Sequence, residues 1–277
     1  GEIARRVFAT CRRLGYGTAA VFSDADKDAL HVREADVAVR LPGETSAQTY
    51  LRADLIVAAA LAAGADAVHP GYGFLSEKED FAQAVLDAGL RWIGPPPEAI
   101  AAMGSKVAAK KMMAAAGVPV LRELSAEEVT EADLPILIKA SAGGGGRGMR
   151  VVRTLAELPG QWEAARAEAE SAFGDGTVFC EQYIETGRHI EAQVLADAHG
   201  TVWAVGEREC SIQRRHQKVV EEAPSPFVEA TAGLREQLFA AARDAARAIG
   251  YAGAGTVEFL VAPDGSFAFL EMNTRLQ

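Results

Sequence analysis

A run of four glycines between two β-like segments constrains the fold of this chain more than any other feature of its sequence. Residues 136–138 are apolar and lead into Lys139, residues 143–146 are all glycine, and residues 149–152 form a second β-like run. Consecutive glycines weaken helices and strands, because each loses much backbone entropy on ordering. The sequence therefore predicts a β-hairpin with a glycine-rich loop at its tip.

The composition of this loop is typical of a phosphate-binding site. Glycine lets backbone N–H groups approach a ligand closely, and a concave array of them suits phosphate oxygens. P-loops and Rossmann turns lead into a helix, whereas a strand follows here, and neither consensus spacing is present. We therefore expect a flap that closes over a nucleotide, with Lys139 and Arg147 beside it. The alternative is a flexible hairpin tip exposed to solvent.

Helices and strands alternate over the first third of the chain. The apolar spacing predicts helices at 3–14, 50–63 and 76–89 and strands at 18–22, 36–41 and 92–93. Ser76 and Glu79 match a capping box for the third of these helices. Such alternation predicts a parallel sheet wound with helices. Because the pattern opens on a helix, we expect a first strand to be missing at the N-terminus.

The remainder of the chain has the pattern of an antiparallel α+β domain. A helical segment at 98–116 is interrupted at residues 104–105. The other predicted elements are helices at 155–172 and 234–249 and strands at 178–183, 189–196, 201–209, 254–261 and 266–277. A Pro-Asp-Gly turn at 263–265 joins the last two strands into a hairpin. The predicted fold class is therefore α/β followed by α+β.

Polar residues line one face of the last predicted strand. With a period of two, this face carries Glu271, Asn273, Arg275 and Gln277. Glu258 interrupts an apolar run on the preceding strand, and we expect it to lie opposite Glu271. Carboxylates and an amide supply the hard oxygen ligands that Mg²⁺ prefers, so the pair predicts a metal clamp with a small anion beside it. The alternative is a solvated polar face with a surface salt bridge.

Residues 208–218 form a second dense cluster of charged and polar side chains. Neither face of this segment is apolar, so we do not expect a core strand, and the alternative interpretation is a solvated charged loop. His189 and His216 have no partner at metal-binding spacing, which argues against a zinc site.

The overall charge and the apolar pattern argue against two classes of partner. A net charge of −10 disfavours nucleic acids and anionic membranes. The apolar run at 55–63 is too short to span a membrane. No signal-peptide pattern is present, and three widely spaced cysteines are typical of a reducing compartment. We therefore expect a cytoplasmic protein without nucleic-acid or membrane partners.

Four stretches together resemble the biotin carboxylases, which are ATP-grasp enzymes. They are residues 69–77 (HPGYGFLSE), 139–149 (KASAGGGGRGM), 209–224 (ECSIQRRHQKVVEEAP) and 271–277 (EMNTRLQ). The resemblance implies a Rossmann-like N-terminal domain at 1–97 and an ATP-grasp domain at 98–277. The ATP-grasp domain would contain a flap subdomain at about 120–182 and would be truncated at its C-terminus.

The resemblance also implies a reaction and its partners. ATP and bicarbonate would carboxylate biotin on a carrier domain through carboxyphosphate, as the first half-reaction of an acyl-CoA carboxylase. A carboxyltransferase subunit would take the product, and the full-length protein would form a homodimer or a larger assembly. One alternative is another ATP-grasp carboxylate–amine ligase, against which residues 208–224 argue. The other is a fragment that binds nucleotide without catalysis.

Matching positions receive roles from the same resemblance. The ATP phosphates would be held by Lys106, Lys139, Gly145 and Gly146. The adenine hinge, in which the Glu181 carboxylate or carbonyl accepts from the exocyclic amine, would comprise Glu181, Gln182, Tyr183 and Ile184. The nucleotide would also be lined by His189, Gln213 and His216, and Mg²⁺, or Mn²⁺ in its place, would be bound by Glu258, Glu271 and Asn273. The catalytic set would be Lys218 and Gln277 at bicarbonate, together with Arg275.

The family pattern continues beyond Gln277 with Val-Glu-His-Pro, and its glutamate is the base that deprotonates bicarbonate. A later arginine serves biotin in the family. Neither residue is in the sequence given, which ends at Gln277. We therefore expect the 277-residue chain to bind Mg·ATP without biotin-dependent ATP cleavage.

Overall fold

The computed structural model describes residues 1–141, 149–214 and 217–277, which form two compact units. Unit 1 comprises Gly1–Ala101, Ala252–Ala254 and Thr274–Gln277, and unit 2 comprises Ala102–Tyr251 and Gly255–Asn273. The predictions for Gly145, Gly146, Arg147 and His216 lie outside the described residues. Among the helices of the described ranges, none has both the length and the apolar character needed to cross a membrane.

Unit 1 is an α/β arrangement with parallel strands, as the alternating pattern predicts. Its helices are α1 (Glu2–Leu14), α2 (Leu30–Glu34), α3 (Ala53–Ala62), α4 (Glu79–Asp87) and the start of α5 (Pro97–Gly104). Its strands are β1 (Ala19–Phe22), β2 (Val37–Arg40), β3 (Ala67–Val68) and β4 (Arg91–Trp92). The pairs β1–β2 and β3–β4 are both parallel, and they form two separate ladders.

The core of unit 1 includes an apolar cluster on α4. Phe81, Val85 and Leu90 are buried, and side chains of α3 pack against them. The rings of Phe81 and Trp92 meet edge to face with their centroids 5.5 Å apart, an arrangement that aromatic quadrupoles favour. This cluster attaches α4 to β4.

The predicted capping box at Ser76 and Glu79 is wrong. Helix α4 begins at Glu79, and its N-cap is Lys78, whose side chain makes no capping hydrogen bond. Ser76 is buried in the preceding turn, where its N–H donates to the carbonyl of Gly73 at 2.9 Å. Because Ser76 lies two residues before the N-cap, it belongs to the turn rather than to the helix.

Unit 2 contains two sheets and the helices that cover them. Its helices are the end of α5, α6 (Lys106–Ala115), α7 (Leu158–Phe173), α8 (Pro226–Ala230) and α9 (Leu234–Ala248). The four-stranded sheet has the order β5–β8–β6–β7 and comprises β5 (Glu123–Leu124), β6 (Ile136–Ala140), β7 (Arg150–Val152) and β8 (Val178–Gln182). The five-stranded sheet has the order β11–β10–β9–β12–β13 and comprises β9 (Arg188–Ala196), β10 (Val202–Arg214), β11 (Gln217–Glu222), β12 (Gly253–Val261) and β13 (Phe267–Asn273).

The predicted hairpin around the glycine run is confirmed by the pairing of its two strands. Strands β6 and β7 are antiparallel, with Ile136 opposite Val152 and Ile138 opposite Arg150. The side chains of Ile136, Ile138 and Val152 are buried against α7, which fixes the register of the hairpin. Lys139 therefore stands at the end of β6, directly before the glycine-rich loop.

The break predicted at residues 104–105 is confirmed as a boundary between two helices. Helix α5 ends at Gly104, and Ser105 is the N-cap of α6. The Ser105 hydroxyl accepts a hydrogen bond from the Ala108 N–H at 3.4 Å, as an N-cap serine does. This cap starts α6 at Lys106.

Residues 208–214 and 217–218 are in strands and not in a solvated loop, so that interpretation is wrong for these residues. Strand β10 extends to Arg214, and β11 returns antiparallel from Gln217, with Gln213 opposite Lys218. A sequence without an apolar face can form these strands because β11 is the edge of the sheet. From this edge strand, Lys218 reaches the buried carboxylates of Glu191 and Glu258 on other strands.

Candidate active site

Strands β12 and β13 bring together the residues predicted to hold a metal. Glu258 lies opposite Glu271, as expected from the turn that joins the two strands, and Thr256 lies opposite Asn273. Asn273 Nδ2 donates to Glu258 Oε1 at 2.5 Å and to Thr256 Oγ1 at 3.1 Å. Glu258 is only 3% exposed, whereas Glu271 is exposed. The two carboxylates and the amide are hard oxygen ligands of the kind that Mg²⁺ takes, so this donor set fits the ion.

A lysine and a histidine side chain hold the Glu258 carboxylate in place. Lys218 Nζ lies 2.8 Å from Glu258 Oε1, and His189 Nε2 pairs with Oε2. Burial alone would raise the pKa of Glu258, but His189 and Lys218 outweigh it and lower the pKa to about 2. Glu258 is therefore an anion at neutral pH in spite of its burial.

Lys218 is shared between two buried carboxylates. Its Nζ also lies 2.5 Å from Glu191 Oε2, and Glu191 is 1% exposed. Arg208 Nε lies 2.5 Å from the other oxygen of Glu191. Burial would lower the pKa of Lys218, but Glu258 and Glu191 raise it well above its ordinary value. Lys218 is thus a fixed positive charge in this network.

His189 is oriented by a hydrogen bond on each ring nitrogen. Gln213 Nε2 donates to His189 Nδ1 at 2.8 Å and also donates to the Cys210 carbonyl at 2.8 Å. Since Nδ1 accepts, a ring proton is on Nε2, which faces Glu258. His189, Gln213 and Lys218 therefore belong to the same hydrogen-bonded network as the metal-binding candidates.

Sequence reasoning missed the burial of Glu191. The alternation of β9 places His189, Glu191 and Gln193 on the face opposite its apolar residues, which does not reveal that Glu191 is buried. Arg208 lies opposite Glu191 on β10, and Lys218 reaches it from β11. The only signal in the sequence was the polar residue at every second position of β9. Such a pattern occurs in strands that line a binding site and also in strands with a solvent-exposed face.

A second group of charges surrounds Glu181 on β8. Glu181 is 1% exposed, Lys139 Nζ lies 2.6 Å from its Oε2, and Lys110 Nζ contacts its Oε1. Burial, together with the charges of the neighbouring lysines, lowers the pKa of Lys110 to about 7 and that of Lys139 to about 8. Lys106, the first residue of α6, is one of these neighbouring lysines. Lys139 and Glu181 are thus in contact, and Lys110 joins them without any signal in the sequence.

The two groups of charges approach each other at Glu271. This carboxylate lies opposite Glu258 in the hairpin, and its charge raises the pKa of Lys139 against the effect of burial. A metal between the carboxylates would therefore stand near the lysines that could bind phosphate.

The remaining hinge candidates lie at the end of β8. Gln182 is exposed, and Ile184 is partly buried. The N–H of Tyr183 donates to the Pro135 carbonyl at 3.0 Å. Gln182 and Tyr183 line a cleft of about 220 Å³ together with Arg122 and Leu134. The Glu181 carboxylate itself already contacts two lysine side chains.

Arg275 and Gln277 lie beyond the last strand, so the prediction that they continue its polar face is wrong. Strand β13 ends at Asn273, and the next N–H, of Thr274, donates to Glu77 Oε1 at 3.1 Å. Arg275 Nε donates to the other Glu77 oxygen at 3.1 Å, and its Nη1 donates to Gln277 Oε1 at 3.1 Å. Both residues belong to unit 1, where Glu77 orients the guanidinium.

Comparison with family models accounts for both parts of the chain. Residues 1–100 match the family described as "Biotin carboxylase, N-terminal domain". Residues 102–277 match the family described as "Carbamoyl-phosphate synthase L chain, ATP binding domain". The chain belongs to the biotin carboxylase family. The fold class predicted from the sequence is that of this family.

This biotin carboxylase chain is about half identical in sequence to two named relatives. It is 52% identical to the mitochondrial methylcrotonoyl-CoA carboxylase subunit alpha of Oryza sativa subsp. japonica, covering 100% of this chain and 39% of that protein. It is 50% identical to the biotin carboxylase of Halalkalibacterium halodurans, covering 100% of this chain and 63% of that protein. The chain therefore spans less than two thirds of the length of these relatives.

Solved structures of biotin carboxylases have the same fold as this chain. The biotin carboxylase β-γ-ATP complex from Campylobacter jejuni superposes with a TM-score of 0.95 at 45% identity, over 100% of this chain and 64% of that one. The biotin carboxylase domain dimer of Hydrogenobacter thermophilus 2-oxoglutarate carboxylase, in complex with MgADP, ADP and bicarbonate, has a TM-score of 0.91 at 45% identity. That match covers 100% of this chain and 62% of the other.

Proposed function

We propose that this chain contributes the nucleotide and metal machinery for ATP-dependent carboxylation of biotin by bicarbonate. The observation that carries the proposal is the network in which Lys218 joins Glu258 and Glu191 beside His189 and Asn273. It combines ionised carboxylates with a fixed positive charge, as a site for a metal-bound nucleotide and a small anion requires. The relatives named above support the same reaction class.

The proposed reaction begins with phosphoryl transfer. An oxygen of bicarbonate attacks the γ-phosphorus of ATP, the bond to the bridging oxygen breaks, and ADP leaves with that electron pair. The C–O bond to the phosphate of carboxyphosphate then breaks and gives carbon dioxide and phosphate. The phosphate takes the proton of a ureido N–H of biotin, and the nitrogen uses the freed electron pair to bond to the carbon of carbon dioxide. In such reactions positioning and charge neutralisation supply most of the acceleration.

Different residues of this chain would bind the phosphates, the nucleoside and the metal in the phosphoryl-transfer step. Lys106 and Lys139 would hold phosphates, and His189 and Gln213 would line the nucleotide together with the hinge at 181–184. Mg²⁺, or Mn²⁺ in its place, would neutralise phosphate charge when bound by Glu258, Glu271 and Asn273. Glu258 and Glu271 lie opposite each other on β12 and β13, and the charges of Glu271 and Lys106 both act on Lys139, which supports the assignment.

Bicarbonate would be held by positive charge in the same scheme. Lys218 is the proposed partner, because its ammonium is fixed by two carboxylates and keeps its proton. Arg275 and Gln277 are the other proposed bicarbonate contacts, and their mutual hydrogen bond supports their acting together. Gly145, Gly146 and His216 keep their proposed nucleotide roles, although they lie outside the described residues.

Partners and location follow from the proposed reaction. We propose a biotinylated carrier domain as substrate, a carboxyltransferase subunit as the next enzyme, and a homodimer or larger assembly in the complete protein. The proposed compartment is the cytoplasm, and the proposed domains are 1–97 and 98–277. The names of the matched acyl-CoA carboxylase subunit and of the biotin carboxylase domain dimer support the carboxylase context and the homodimer.

Phosphate release from ATP tests the proposed reaction. The complete polypeptide that contains these residues is assayed with Mg²⁺ and bicarbonate, with and without free biotin. We expect biotin to stimulate phosphate release, and we expect the 277-residue chain to bind nucleotide without this stimulation. Stimulation of the complete polypeptide by an amine in place of biotin would favour another ATP-grasp ligase. Nucleotide binding without any stimulated cleavage would favour a binding function.

A further inference from the structure

The buried carboxylate of Glu181 has two lysine partners although one would balance its charge. Lys139 Nζ lies 2.6 Å from one oxygen, and Lys110 contacts the other. A buried carboxylate needs at least one close positive charge, because an unpaired buried ion is costly. One of the two lysines can therefore leave Glu181 only if the other remains.

The two lysines differ in how firmly they are enclosed. The Lys110 side chain is 6% exposed, its ammonium lies over the ring of Phe179 at 5.3 Å, and Glu123 Oε1 is 3.8 Å away. The Lys139 side chain is 16% exposed and stands at the end of β6, next to the glycine-rich loop. Lys139 is thus the partner that an anionic ligand can reach, whereas Lys110 is enclosed by Glu181, Glu123 and Phe179.

We propose that Lys110 is a positioning residue that holds the Glu181 carboxylate so that Lys139 can move to the nucleotide phosphates. This inference rests on the proposed nucleotide-binding function and adds a residue that the resemblance does not assign. Without Lys110, Lys139 would be the remaining close cation for Glu181, and phosphate binding would require breaking that buried pair. The effect should therefore fall on ligands with phosphates and not on the nucleoside.

The test compares ADP with adenosine, because the ratio of their affinities isolates the phosphate contribution. Dissociation constants are measured by calorimetry and competition for the wild type, Lys110→Gln and the double variant Lys110→Gln/Glu181→Gln. Lys111→Gln is the matched control, since Lys111 is the exposed neighbour on α6. We expect Lys110→Gln to lower the ADP-to-adenosine affinity ratio by about tenfold, the worth of one charge-assisted hydrogen bond. The double variant should recover the wild-type ratio, because Lys139 then has no buried anion to neutralise.

Several outcomes separate this inference from a merely structural role for Lys110. Equal losses of ADP and adenosine affinity in Lys110→Gln, or no loss at all, would overturn it. If the single variant unfolds and the double variant folds with the wild-type ratio, the inference is supported, whereas unfolding of both overturns it. A wild-type chain that binds neither ligand would reject the proposed function itself.

Discussion

The Lys218 ammonium lies 2.8 Å from the carboxylate of Glu258 and thereby joins the edge strand β11 to this metal-binding candidate on β12. The same nitrogen lies 2.5 Å from Glu191. Two buried carboxylates thus share one cation, and the arrangement depends on long-range contacts within unit 2.

Removal of Lys218 should destabilise the protein. In Lys218→Met, Glu258 and Glu191 lose their shared cation, and we expect the free energy of unfolding to fall by about 1–3 kcal/mol, the usual cost of an unsatisfied buried acceptor. Urea denaturation followed by circular dichroism measures this loss. Lys111→Met, at an exposed position, is the control and should change stability little. Equal stability of the two variants would show that Lys218 does not neutralise the pair.

The ion pair between Glu207 and Arg235 should make stability depend on pH. Arg235 Nη2 lies 2.8 Å from Glu207, and Arg235 lowers the pKa of this carboxyl although burial opposes it. Because the pKa of Glu207 is lower in the folded than in the unfolded protein, the ion pair stabilises the fold at pH values above the unfolded-state pKa, near 4.5. This stability is lost as the pH falls from there through the folded-state pKa. We expect the wild type to lose more stability than Glu207→Gln on acidification below this pH. Parallel stability curves for the two proteins would contradict the assignment.

Glu271→Gln should weaken nucleotide binding mainly when Mg²⁺ is present. The substitution keeps the shape of the side chain and removes one anionic ligand of the proposed metal. Calorimetric titration with Mg·ADP and with ADP in a chelator separates the two effects, and we expect about a tenfold loss for Mg·ADP alone, as for one charge-assisted contact. Glu236→Gln, on the exposed face of α9, is the matched control. Identical losses with and without metal would remove Glu271 from the proposed metal site.

Glu77 should affect turnover more than nucleotide affinity. Its carboxylate accepts from Arg275 Nε at 3.1 Å and from the Thr274 N–H at 3.1 Å. In Glu77→Gln we expect kcat for ATP cleavage by the complete polypeptide to fall, because the proposed catalytic guanidinium is less well oriented. The KM for ATP should stay the same. A raised KM with unchanged kcat would assign Glu77 to nucleotide binding instead.

Local patterns predicted the parts of the fold that depend on local interactions. The hairpin from β6 to β7 followed from apolar segments on each side of glycines, and the pairing of Glu258 with Glu271 followed from the turn that joins their strands. The break before Lys106 followed from Gly104 and Ser105. In each case neighbouring residues determine both the element and its register.

The parts that could not be predicted depend on contacts between distant segments. Glu191 is buried because Arg208 and Lys218 reach it from other strands, and no property of β9 alone reveals this. Lys110 is likewise buried beside Glu181. The apolar spacing of a helix does not reveal that one of its lysines contacts a carboxylate on a distant strand. The end of β13 was misjudged because Thr274 bonds to Glu77, which is far away in sequence.

Transfer of isotopically labelled bicarbonate carbon to biotin tests the central claim most directly. The complete polypeptide containing this chain is incubated with ATP, Mg²⁺, free biotin and labelled bicarbonate, and carboxybiotin is detected by mass spectrometry after quenching at alkaline pH. We expect labelled carboxybiotin to form only when ATP and Mg²⁺ are present and to be absent with Lys218→Met. ATP cleavage without label in biotin would contradict it.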